Sequence, residues 1–330
     1  MPTKLRIATF NLENLDDKAG EQPTLKNRIE LIRPQLIRLD ADILCLQEVN
    51  GQEKSGTRQL LALEQLIDQT PYKHFHQATT KTIGSEQVYD ERNLVILSRF
   101  AIREYKQYKH QFTPALMYRS ITAEPAESAA KEITWERPIL HAKVDLPGDR
   151  VLDVINVHLK SKLPTSIAGQ KINDYTWKTA SGWAEGSFIS AMKRVGQAME
   201  ARILIDRLFD ADENALIAIC GDFNAEADEV PVEAIRGDVE NTGNGQLAKR
   251  VMLPCEKTIP ESSRFSLLHQ GKGRMLDHAM VSRSLLTYYR SVEIHNEFLH
   301  DESLAFATDK LYPESDHAPV IAEFTLPDVG

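Results

Sequence analysis

The sequence predicts one domain of mixed α/β or α+β class, and three observations carry that prediction. Short apolar runs rich in β-forming residues recur along the whole chain. Stretches whose apolar residues repeat at helical spacing lie between them, and strands and helices are mixed throughout. No repeat, low-complexity tract or long linker divides the chain. The 330 residues, 42% hydrophobic and 26% charged, have the ordinary composition of a soluble globular protein with a sizeable core, so one domain over residues 1–330 is expected.

The elements follow in order. A first strand is expected at Leu5–Phe10. Leu25, Ile29, Ile32, Leu36 and Leu39 then mark a helix, which Pro34 should kink or restart because its ring lacks an N–H and crowds the preceding turn. A second strand spans Ile43–Gln47, and Leu60, Leu63, Leu66 and Ile67 mark a second helix. Strands are expected at Leu94–Leu97, Ile139–Val144 and Val151–Val157, a longer helix from Phe188 through Phe209, then strands at Leu216–Cys220, Ala279–Val281 and Val320–Phe324. Their near-continuous apolar character suggests strands covered on both faces. Stretches 124–131 and 241–246 are polar or small-residue loops.

No apolar run approaches the roughly 18 residues of a membrane helix. The first residues run straight into a strand without the apolar region of a secretory signal, so none is expected. Cys45 and Cys220, two of three cysteines, sit inside apolar runs, where a free thiol behaves as a small hydrophobe; a reducing cytoplasm fits best. The formal net charge of −9 argues against tight, processive binding to duplex nucleic acid, while a local basic cleft remains compatible with it.

The residues beside the strands carry the chemistry. Asn11 follows the first strand, Glu48 the second, His158 the strand Val151–Val157, and Asp222 and Asn224 the strand Leu216–Cys220. Asp277-His278 precedes the next strand and Asp316-His317 the last. Carboxylate, amide and imidazole placed repeatedly at such ends point to one active site gathered at a sheet edge. Asp222 and Asn224, two apart, project to the same side of an extended segment, one able to accept a proton and the other to donate to a phosphate oxygen.

Six segments, in this order, resemble the endonuclease/exonuclease/phosphatase superfamily, the group that includes the DNase I-like nucleases. They are Ala8-Thr9-Phe10-Asn11-Leu12-Glu13-Asn14, Leu46-Gln47-Glu48-Val49, Asn156-Val157-His158-Leu159-Lys160, Gly221-Asp222-Phe223-Asn224, Leu276-Asp277-His278 and Ser315-Asp316-His317. The resemblance spans residue 5 to about 324 and implies a four-layer α-β-β-α sandwich with its site at one sheet edge.

The same resemblance implies roles. Glu48 would bind a divalent metal directly, with Asn11 and Asp316 as direct or water-mediated ligands; Mg²⁺ is expected, Mn²⁺ or Ca²⁺ being alternatives. Asp222 would orient or deprotonate water, and Asn224 position that water and the phosphate. His317, paired with Asp277, would act as general base or bind the phosphate. His158 occurs where abasic-site endonucleases usually carry tyrosine and DNase I-like enzymes histidine, and Glu91 in Tyr89–Leu94 would pair with it to protonate the leaving group. Arg137, before the strand Ile139–Val144, resembles a phosphate-contacting arginine, and Lys160 should point the same way as His158. His278 is expected to be structural.

The stretch Ser161–Ser187 is an insertion relative to compact nucleases; it mixes Lys162, Lys171 and Lys178 with Tyr175, Trp177 and Trp183, so it either stacks single-stranded bases or packs its own aromatics. The expected function is metal-assisted phosphodiester hydrolysis, first of DNA or RNA. Phosphoinositides, phospholipids and small nucleotide-like esters are the alternative substrates, and a non-catalytic phosphate-binding module the third reading.

Overall fold

The computed structural model describes residues 3–308 and 311–327. The strands that build the sandwich are β1 (Thr3–Leu15), β2 (Ile43–Val49), β3 (His76–Thr79), β4 (Asn93–Ser98), β5 (Ile102–Tyr108), β6 (Ile139–Leu146), β7 (Arg150–His158), β8 (Leu216–Asp222), β9 (Leu253–Pro254), β10 (Asp277–Val281), β11 (Tyr289–Ile294) and β12 (Val320–Leu326). The main helices are α1 (Leu25–Leu39), α2 (Leu61–Ile67), α3 (Ala180–Ala211) and α4 (Val230–Arg236).

Strand alternation sorts each side chain to a layer. In β1, Leu5 and Ile7 face the second sheet, while Ala8, Phe10 and Leu12 face the helices. In β8, Ala218 and Cys220 face the first sheet, and Ile217 and Ile219 the opposite helices. The first sheet runs β11-β12-β1-β2-β4-β3 and the second β9-β10-β8-β7-β6-β5. Helices α1 and α2 cover the outer face of the first, and α3 with α4 the outer face of the second. The four-layer sandwich is therefore the observed architecture.

Pairs β1/β2 and β7/β8 are parallel; the other neighbours run antiparallel. The C-terminal ends of β1, β2, β7 and β8 consequently share one edge with the N-terminal ends of β4, β6, β10 and β12. Asn11 lies near that end of β1, Glu48, His158 and Asp222 lie at the ends of their strands, Asp277 opens β10, and Arg137 and Asp316-His317 lie just before β6 and β12. Gly221 makes the close approach of β8 to β7 possible: at φ +142°, an added Cβ would stand 1.9 Å from the Val157 carbonyl oxygen.

Three local expectations change. Helix α1 runs unbroken across Pro34, because the ring sits on the exposed face while Ile32 and Leu36 anchor the core side. Helix α3 starts at Ala180, capped by the Thr179 hydroxyl accepting from the Gly182 amide (2.9 Å), well before Phe188. Gly182 and Gly186 weaken local helix propensity, yet both lie where a side chain would strike the preceding loop. Strands β3, β5 and β11 have no counterpart in the apolar runs; β3 and β11 are outer edges of the first sheet and β5 of the second, mostly polar and partly exposed.

Within the insertion, the first part is loop and the last two turns belong to α3. Trp177 packs beside Ala123, Ile167 and Ile189 in a small separate core, with the Lys171 ammonium 4.9 Å over its ring. That aromatic serves packing. Tyr175 and Trp183 are exposed. Cys45, Cys220 and Cys255 are buried free thiols. Among the described residues no helix is long and apolar enough to cross a membrane.

Candidate active site

The shared edge holds a dense polar cluster. Asp222, nearly inaccessible at the end of β8, collects its neighbours. Its Oδ2 accepts from the amides of Asn11 (3.1 Å) and Asn224 (3.0 Å) and lies 3.3 Å from His158 Nε2 and 4.0 Å from His317 Nε2. Its Oδ1 accepts from the Asn224 backbone N–H at 2.8 Å. Burial, with Asp277 and Glu48 nearby, pushes the Asp222 carboxyl up to about 7 despite the opposing His317.

His317 Nδ1 lies 2.6 Å from Asp277 Oδ2, so the carboxylate sets the tautomer and leaves Nε2 facing Asp222. Burial opposes charge on this ring, but Asp277, Asp316 and Asp222 outweigh it and hold His317 well above the ordinary imidazole range. His158 is the opposite case. Burial, followed by Arg137, His317 and Arg92, drives it well below that range. A neutral ring whose Nε2 sits 3.3 Å from Asp222 and 3.5 Å from Glu48 oxygens carries its proton on Nε2.

The carboxylates gather on the other side. The Asn14 N–H donates to Glu48 Oε2 (3.0 Å), and the Asp316 N–H to Glu13 Oε2 (3.0 Å). Asn11 accepts the Glu13 N–H through Oδ1 (3.0 Å). Arg28 of α1 closes this loop from behind, its guanidinium donating to the carbonyls of Leu12 (2.7 Å), Glu13 (2.9 Å), Asn14 (3.3 Å) and Pro313 (3.3 Å). Glu13, Asn14, Glu48 and Asn224 all adopt left-handed backbone, with φ of 45°, 51°, 58° and 48°. Strained non-glycine backbone concentrates where a structure holds side chains for chemistry.

Two donor sets could hold a cation. Burial and the neighbouring Asp316 raise Glu13 to about 8; burial and Glu48 raise Asp316 as well, against the pull of His317. Asp316 Oδ1 is buried with no hydrogen-bond partner. Repelling carboxylates with an orphaned oxygen suit a hard, oxygen-seeking ion such as Mg²⁺. Asp222, Asp277 and His317 also offer ligand atoms within 4.8 Å of one another. There the Asp277–His317 contact is itself a hydrogen bond, while Asp277 Oδ1, like Asp316 Oδ1, is buried without a partner.

Arg137 lies buried beneath His158, with Nε donating to the His158 carbonyl and Nη2 to the Leu159 carbonyl, both at 3.2 Å. Lys160 is half-buried and bonds Ser161 Oγ at 2.9 Å. Asn224 also donates to the Leu159 carbonyl (3.0 Å). His278 is buried between Glu256 (2.6 Å) and the Ala225 carbonyl (2.9 Å), a structural placement.

The expected Glu91–His158 pair is not formed. Asn93 cinches the turn from Tyr89, accepting its N–H at 2.7 Å and donating to its carbonyl at 2.8 Å, so Glu91 protrudes into solvent at the tip. His158 Nδ1 is buried without a partner. Conversely, Glu13 and Arg28 escaped the reading of the sequence. Glu13 stood inside a matching motif two residues from Asn11. Arg28 lies within a helix and carries no local sign of its buried contacts.

The Endonuclease/Exonuclease/phosphatase family matches residues 8–317 of this sequence. The chain belongs to that family. Members of the endonuclease/exonuclease/phosphatase family are phosphoester hydrolases that generally depend on divalent metal. Similar solved structures show the same fold. One is a family protein from Bacteroides thetaiotaomicron, 15% identical, covering 99% of this chain and 96% of that one, with a TM-score of 0.57. Another is an AP endonuclease from Archaeoglobus fulgidus, 15% identical, covering 97% and 99%, TM-score 0.52. A third is a Neisseria 3′ phosphatase, NExo, bound to a product DNA hairpin, 17% identical, covering 97% and 99%, TM-score 0.51. No curated protein matches the sequence.

Proposed function

We propose that this family member is a Mg²⁺-dependent phosphodiesterase whose first substrate is a DNA or RNA strand. The observation that carries the reading is Asp222 Oδ2. One oxygen meets the amides of Asn11 and Asn224 and faces the Nε2 atoms of both His158 and His317. A carboxylate so placed, near neutral in its proton affinity, suits orienting and deprotonating a water.

Glu48 and Asp316, with Asn11 and Glu13 beside them, are the residues that would hold the ion. When bound, Mg²⁺ offsets the phosphate's charge and polarises its ester oxygens. His317, kept cationic by Asp277, binds the phosphate oxygens and stabilises the charge that develops on them. His158 donates a hydrogen bond from Nε2 as a neutral ring. Arg137 keeps its Nη1 for a phosphate oxygen, since Nε and Nη2 are taken by backbone carbonyls. The AP endonuclease and the DNA-bound 3′ phosphatase among the similar structures support trying nucleic acid first.

The test is hydrolysis of labelled single- and double-stranded DNA and RNA with Mg²⁺ or Mn²⁺ and with EDTA, wild type beside His317→Ala. Metal-dependent cleavage lost in the variant supports a nuclease and gives its strand preference. No cleavage above the variant's background overturns the nucleic-acid assignment and leaves phosphoinositides, phospholipids and small phosphodiesters to test.

A further inference from the structure

The segment that leaves His158 is held by one face of α3. Ser190, Arg194 and Gln197 lie four and then three residues apart, so they share that face. Ser190 Oγ donates to the Leu163 carbonyl (2.8 Å), and Arg194 Nη1 to the carbonyls of Lys160 (3.0 Å) and Ser161 (3.1 Å). Gln197 accepts the Lys160 N–H (2.7 Å) and donates to the Arg137 carbonyl (3.2 Å). Beside them, Lys193 donates to Glu136 Oε1 (2.9 Å) and Lys109 to the Glu136 carbonyl (3.3 Å).

A line of cations results, running outward from the candidate active site through Arg137, Lys160, Arg194, Lys193 and Lys109. The hydrogen bonds of Arg137, Lys160 and Arg194 all go to neutral oxygens. Glu136, beside this line, is already bound to Lys193, and Glu229, the carboxylate that reaches Arg194, is bound to Lys162. In a chain of net charge −9, this strip stays positive overall, since Glu136 is the one carboxylate among the described residues bonded to its five cations, and its side chains are buried or half-buried. Burial, helped by Arg137, Lys193 and Arg194 against the pull of Glu136, brings the Lys160 ammonium down to about 8. Arg137 alone can serve one reacting phosphate. The cations beyond it suit a substrate whose charges continue.

We propose that Lys160, Lys193 and Arg194 form a subsite for a flanking phosphate of a polynucleotide strand, beside the phosphodiester being cleaved. The inference rests on the nuclease reading above and specifies its substrate as a strand rather than a lone phosphoester.

Wild type, Lys193→Gln, Arg194→Gln and the double variant are assayed on bis(p-nitrophenyl) phosphate, a single phosphodiester, and on a labelled single-stranded oligonucleotide, across a series of NaCl concentrations. Binding of the oligonucleotide in EDTA is followed in parallel by fluorescence anisotropy. The subsite predicts that kcat/KM on the oligonucleotide falls roughly tenfold through KM. It also predicts that activity on the single phosphodiester stays within about twofold. The salt slope of binding should become shallower by about 0.7 per cation removed. Equal losses on both substrates, or unchanged binding and salt slope, overturn it. Lys193→Gln leaves the loop's carbonyl contacts intact, so it decides the matter if Arg194→Gln fails to fold. If wild type cleaves neither substrate, the nuclease reading fails by itself. The anisotropy then still supports or overturns the subsite.

Discussion

Gln47 and Asn156 hydrogen-bond across the two sheets, Nε2 to Oδ1 at 2.7 Å, with both side chains fully buried. Asn156 also donates to the carbonyls of Leu46 (3.0 Å) and Val95 (2.9 Å), and Gln47 to Thr9 Oγ1 (3.0 Å). The pair lies one residue from Glu48 and two from His158, so it locks the register of the sheets directly beneath the site. Asn156→Ala strands several buried polar groups, each costing about 1–3 kcal/mol. Denaturant unfolding should show a loss of at least that size together with reduced activity; a variant as stable as wild type would deny the lock.

Arg28 bonds the backbone of the loop that carries Glu13, beside the carboxylates proposed to hold the ion, so its predicted role is to position them. Arg28→Met frees the carbonyls of Leu12, Glu13, Asn14 and Pro313. Weakened outer support of this kind typically lowers metal affinity about 10–100-fold. Half-saturating Mg²⁺ should rise accordingly in activity titrations and in calorimetry, with kcat largely restored at saturating ion. An unshifted titration would assign Arg28 to stability alone.

Asp277→Asn keeps the shape beside His317 but removes the charge that holds the ring cationic. The turnover rate should fall about 10²–10⁴-fold with little change in KM. An unchanged rate would remove His317 from the chemistry.

Glu91→Gln should leave activity within about twofold of wild type, as for an exposed surface substitution. A hundredfold loss would instead mean that Glu91 reaches His158 once substrate is bound.

The Lys160 ammonium, brought down to about 8 from an ordinary 10.5, gives a pH signature. As pH rises through about 8 the side chain loses its charge, so KM for an oligonucleotide should climb, and Lys160→Gln should flatten that limb. The stability sign is opposite to that of a favourable ion pair. Between about 8 and 10.5 the unfolded chain binds more protons than the folded one, so this group's contribution to stability rises with pH there. A KM profile identical in wild type and Lys160→Gln would sink the assignment.

Much of this site was legible in the sequence because its side chains sit at strand ends. Asn11, Glu48, His158, Asp222, Asp277 and His317 stood out as polar residues bounding apolar runs, and the strand directions bring those ends to one edge. Glu13 and Arg28 did not stand out, since their roles come from burial and from carbonyls that converge only in the folded chain. Glu91 misled for a related reason: a local motif cannot reveal that Asn93 folds the turn outward. The edge strands β5 and β11 were hidden because a strand covered on one face lacks the continuous apolar run of a central one.

By itself the sequence determined the mixed class, the central strands and the inventory of carboxylate, amide and imidazole groups, because side-chain periodicity and strand-end chemistry are local properties. Only the tertiary structure decided which of these groups act on one another. The amide of Asn11 meets Asp222 from 211 residues away, and Glu48 turns through left-handed backbone to face His158. Proton affinities, partner choice and the cationic strip along α3 depend on burial and on distances of a few ångströms. Those are set when two sheets and their helices pack together.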